Sequence, residues 1–114
     1  MKIYLNNCCF NRPYDDQDSL LVRIETEVKL EIQDRVRSGM IELVWSYMLD
    51  YENSRNPYEE RSEEIFEWRK IAIDNILESE SVLIRMHGYE KTGIKSTDAL
   101  HISCAVQANC NYFR

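Results

Sequence analysis

The run at residues 40–45, Met-Ile-Glu-Leu-Val-Trp, constrains the fold more than any other stretch. It is almost wholly apolar. A strand covered by helices on both faces has that composition, and such strands belong to parallel sheets. Before it, Leu21, Ile24, Val28, Ile32 and Val36 recur at spacings of three and four. That period predicts a helix of about five turns with one apolar stripe turned inward and Gly39 as its C-terminal cap. Earlier still, residues 2–6 read as a short strand ending at Asn6-Asn7, and residues 11–16 read as loop.

After the apolar run, Ser46 is placed to cap a short helix over residues 47–53, which carries Asp50 and Glu52. Pro57 suits the first turn of a third helix reaching about residue 73. Ile65, Trp68 and Ala72 form its inner stripe, and a charged row from Glu59 to Lys70 faces water. Residues 73–78 fit either a short strand or a continuation of that helix. Ser79 or Ser81 caps a further helix ending near Gly93. Ser96 or Thr97 caps the last one, whose small residues (Ala99, Ser103, Cys104, Ala105, Ala108) suit close packing on a sheet. Residues 111–114 begin another strand. Strands alternating with helices predict an α/β fold with a parallel sheet and right-handed crossovers. Sites in such folds lie beyond the carboxyl ends of the strands, where Asn6, Glu52 and Asp98 are expected to converge.

With 114 residues the chain has room for one domain. Acidic residues outnumber basic ones 20 to 14, for a net charge of −6. That sign disfavours general binding to nucleic acid, with no DNA partner expected, and to an anionic membrane. No apolar run reaches the roughly 18 residues of a spanning helix, and the start lacks a signal-peptide core, so the expected location is cytoplasmic. The four cysteines (Cys8, Cys9, Cys104, Cys110) are spaced poorly for zinc and read as reduced, buried thiols.

Three segments, residues 1–13 (MKIYLNNCCFNRP), 43–57 (LVWSYMLDYENSRNP) and 93–113 (GIKSTDALHISCAVQANCNYF), resemble the PIN-domain proteins, including the VapC-type ribonuclease toxins of toxin–antitoxin pairs. The resemblance implies a three-layer α/β/α sandwich around a parallel sheet. It also implies an acidic cluster that holds Mg²⁺ or Mn²⁺ and cuts single-stranded RNA, together with a cognate antitoxin and a homodimer. Carried over by position, the first family acid falls on Asn6, which has no carboxylate. Ser46 with Glu52 matches the second motif, and Asp98 in STDALHISCA matches the third. The family's last acid would follow Phe113-Arg114, so a strand and a helix of the family fold are expected to be lacking. The metal set implied is Asn6, Glu52 and Asp98, with Glu52 and Asp98 catalytic and Ser46 and His101 supporting them.

Carboxylates suit this chemistry because Mg²⁺ prefers hard oxygen ligands and retains waters. The bound ion lowers the pKa of an attacking water and offsets charge on the phosphate. With Asn6 and the absent last acid, the implied activity is weak or lost; the alternative is an inactive PIN fold acting as a binding module. The bland readings give Asp50, His87 and the 59–64 run to solvent, and Arg12 and Arg23 to local ion pairs or solvent rather than RNA phosphates. Tyr47, Tyr51 and Tyr58 go to packing rather than to stacking on bases.

Overall fold

The computed structural model describes residues 1–113. Four parallel strands form one sheet: β1 (Lys2–Tyr4), β2 (Glu42–Ser46), β3 (Asp74–Ile76) and β4 (Tyr112–Phe113), in the spatial order β3-β2-β1-β4. Six helices intervene: α1 (Asn7–Asn11), α2 (Leu20–Arg37), α3 (Tyr47–Ser54), α4 (Glu59–Ile71), α5 (Glu80–Glu90) and α6 (Ser96–Gln107). From β1 to β2 to β3 the chain steps in one direction across the sheet, and from β3 to β4 it reverses. Right-handed crossovers then put α1–α4 on one face and α5–α6 on the other, a three-layer α/β/α sandwich.

The apolar run lies at the centre, its strand beginning two residues later and ending one residue later than its predicted span. Met40 is exposed and Leu43, Val44 and Trp45 are buried. The shift comes from the end of α2. Gly39 takes φ +82°, its N–H bonds the Val36 carbonyl at 3.1 Å, and the Met40 N–H bonds the Arg35 carbonyl at 2.9 Å. This left-handed cap holds Met40 in the turn. The first strand also stops early, at Tyr4, because Asn6 turns the chain into α1: its Oδ1 accepts the Cys8 N–H at 3.1 Å. Helix α1 occupies a stretch that the sequence reading leaves unassigned, reaching only Asn11 of the expected loop, and Arg12–Tyr14 forms a 3₁₀ turn within that loop.

Further differences concern capping and the second helix. Ser96 and Thr97 do not cap α6. The cap position is Lys95, and the Ser96 hydroxyl instead donates to Glu90 at 2.5 Å. Residues 73–78 resolve as strand β3. The α2 stripe is buried only at its end: Val36 is 7% exposed, whereas Leu21, Ile24 and Val28 are 65%, 50% and 43% exposed. An 18-residue helix spans about 27 Å. The longest strand beneath it, five residues, spans about 17 Å. The first turns of α2 have little sheet to cover. The expected strand at residues 111–114 appears as β4, and Arg114 lies outside the described residues. No helix among the described residues is long and apolar enough to cross a membrane.

Candidate functional site

At the carboxyl edge of the sheet, Asn6, Asn7, Cys8, Glu52, Thr97, Asp98 and His101 line one notch of about 210 Å³. The strand ends deliver them. Asn6–Cys8 follow β1, Glu52 sits on the helix that follows β2, and Asp98 and His101 lie one turn apart on α6.

Behind the notch, and reached from it through His101, a buried chain of hydrogen bonds backs it as an inner wall. Ser46, Tyr4 and His101 are 0%, 0% and 4% exposed. The Leu49 N–H donates to Ser46 Oγ at 3.3 Å, which caps α3. Ser46 Oγ and Tyr4 Oη are 2.6 Å apart, and Tyr4 Oη lies 2.5 Å from His101 Nδ1. His101 Nε2 then bonds Glu52 Oε1. One proton arrangement satisfies every link: Ser46 donates to Tyr4, Tyr4 to Nδ1, and Nε2–H to the Glu52 carboxylate. Burial holds the Tyr4 hydroxyl protonated far above the ordinary phenol range, in keeping with its donor role. Both ring nitrogens of His101 are engaged, so it positions Glu52.

The outer rim is looser. Asp98 is exposed and has no hydrogen bond or ion pair among the described residues. Asn6 is half-buried, and its Oδ1 is occupied by the backbone N–H and the thiol of Cys8. Cys8 is exposed, against the expectation of a buried thiol, because it sits on the first turn of α1 at the notch mouth. A hydrogen bond from Cys9 pulls its pKa down to about 6; burial opposes the shift, and the Lys29 and Arg12 charges assist it. Cys9 and Cys104 are buried, and Cys110 is half-buried.

The residues singled out in the sequence therefore gather, with Asn7, Cys8 and Thr97 beside them at the notch and Tyr4 behind it. Tyr4 links Ser46 to His101 and was not singled out. The available signal was a tyrosine in a strand due for burial, whose hydroxyl needs a partner. Asp50, expected in solvent, is half-buried; it accepts from Trp45 Nε1 at 2.9 Å and lies 3.6 Å from Arg69. A buried indole N–H demands such an acceptor. His87 is exposed, 2.9 Å from Glu90. Arg12 pairs with Glu25 and Asp15 at 3.0 and 3.4 Å. Tyr51 and Tyr58 are exposed, with Arg55 and Arg61 over their rings at 4.8 and 4.4 Å.

Two carboxylates with a free oxygen each, Glu52 and Asp98, face the notch. Among the described residues no three His, Cys, Asp or Glu side chains cluster as a metal-holding group. This donor set suits a hydrated Mg²⁺ shared with a phosphate rather than an all-protein cage. Comparison with family models, curated proteins and solved structures finds no match to this chain.

Proposed function

We propose that this chain is a PIN-type protein of the metal-dependent endoribonuclease lineage, weakened at its first acidic position, where Asn6 stands. One observation carries the reading: Glu52 and Asp98, distant in sequence, line a single notch beside Asn6 at the carboxyl edge of a parallel sheet. The substrate class is single-stranded RNA. Mg²⁺ or Mn²⁺ held by Glu52 and Asp98 would supply an acidified water and charge neutralisation at phosphate. The protein's own contribution is orientation. His101, locked by Tyr4, fixes one oxygen of Glu52 and leaves the other toward the notch. Asp98 contributes an unpaired negative charge at the opening. Asn6 supplies no charge, and losing a few kcal/mol of transition-state stabilisation costs about 10²–10³ in rate. A cognate antitoxin, a homodimer and a cytoplasmic location accompany this reading.

A second reading, an inactive PIN fold acting through binding, is favoured by the engagement of Asn6 in capping α1. Calorimetric titration with Mn²⁺ and cleavage of a mixed RNA pool, with and without EDTA, separate the two. Asn6→Asp is expected to tighten Mn²⁺ binding at least about tenfold, as an added ligand charge should. EDTA-sensitive cutting by the native chain supports the weakened enzyme, and its absence beside tightened Mn²⁺ binding supports the binding module. Unchanged Mn²⁺ affinity in Asn6→Asp overturns the assignment of position 6 as a vacated ligand, and the nuclease lineage with it.

A further inference from the structure

We propose that a second cavity, between α1, α2 and α4, is a binding site for a guanidinium or ammonium group carried on an apolar stem. The cavity measures about 390 Å³ and shares no lining residue with the notch. Four observations point to this ligand.

Gln33 lines the cavity from α2 while only 5% exposed, and no hydrogen bond holds its side-chain amide among the described residues. Its amide atoms are not sealed in the packing, so they open on the cavity with no protein partner and can bond an occupant. Phe10 and Trp68 supply an aromatic wall, their ring centroids 6.1 Å apart. The guanidinium of Arg37 already lies 4.5 Å from the centre of the Trp68 ring. The molecule thus shows on itself what this face accepts, using a long and largely exposed side chain that can swing away. Glu64 and Glu67 also line the cavity and continue into an acidic groove with Glu60 and Glu63.

These carboxylates have only light partners: Glu64 accepts from the Tyr14 hydroxyl, and Glu67 from Lys70 at 3.0 Å. An incoming cation would lay its stem along the aromatic wall, displace Arg37 and donate to Gln33 and the carboxylates. A phosphate-bearing ligand meets the same carboxylates as repulsion.

The cation could come from a free organic amine or from an arginine side chain of a peptide. Calorimetric titration of the native protein with butylguanidinium, and with acetyl-Gly-Arg-Gly-amide, distinguishes these sources. Saturable binding is expected with both, and the tighter of the two names the source. Gln33→Leu is expected to weaken binding about tenfold. Glu67→Gln, on the surface and tolerant for folding, should weaken it about threefold. Arg37→Ala should tighten it about two- to fivefold, because the internal competitor is removed. Asp98→Asn, in the notch, should leave it unchanged, so this test stands apart from the nuclease reading. Absence of saturation with either compound at millimolar concentration overturns the proposal. So does an affinity that neither Gln33→Leu nor Glu67→Gln changes.

Discussion

The two walls of the notch are built on opposite terms. On the inner wall, Ser46, Tyr4 and His101 are sealed from water, and each spends its hydrogen-bonding capacity on its neighbour. On the outer rim, Asp98 and Cys8 are exposed, Asp98 without a bonded partner and the Cys8 thiol against Asn6 Oδ1. The inner wall is part of the core, and its polar groups are tolerable there only as a complete chain. The rim is peripheral to folding and free to meet a ligand. The comparison teaches that one crevice can combine rigidity and reactivity when different elements supply each.

Breaking the inner wall should have the largest effect. Tyr4→Phe keeps the ring packed but leaves His101 Nδ1 and Ser46 Oγ without their shared partner. A loss of about 1–3 kcal/mol is expected from urea unfolding. A loss below about 0.5 kcal/mol would mean that the buried chain contributes little.

The rim should respond in chemistry rather than in folding. Alkylation of Cys8 by iodoacetamide should rise through an inflection near pH 6, where its thiol ionises, whereas an ordinary thiol inflects near pH 9. The sign follows from the depressed pKa: the anion dominates above about 6, and reactivity falls as pH drops through that value. Mass-spectrometric rates that inflect near 9 would remove the Cys9 hydrogen bond as an effective influence.

The smallest effect on stability is expected at Asp98. It lies in the first turn of α6, where a carboxylate complements the helix dipole, so Asp98→Asn should cost about 0.3–1 kcal/mol. A loss as large as that of Tyr4→Phe would erase the distinction between the two walls.

Much of the notch was legible in advance: Asn6, Ser46 and Asp98 stand at strand ends or a helix start, which local pattern locates, and Glu52 and His101 lie one to two turns further along the same helices. Tyr4 was not. In the sequence it is one apolar-flanked residue among several, and only the pairing of β1 with β2 brings its hydroxyl to Ser46. Helix α1 was missed because five residues carry no readable period. The exposed start of α2 was missed because apolar spacing reports an amphipathic face without reporting how much sheet lies beneath it.

What the sequence alone determined is the alternation of strands and helices, and hence the parallel sheet and the edge at which a site forms, because backbone geometry and apolar period act locally. The tertiary structure alone decided which polar groups are sealed in and which remain open. Burial is set by what packs over a residue from distant parts of the chain. Ser46, Tyr4 and His101 close into one hydrogen-bonded chain only after two strands and α6 have met.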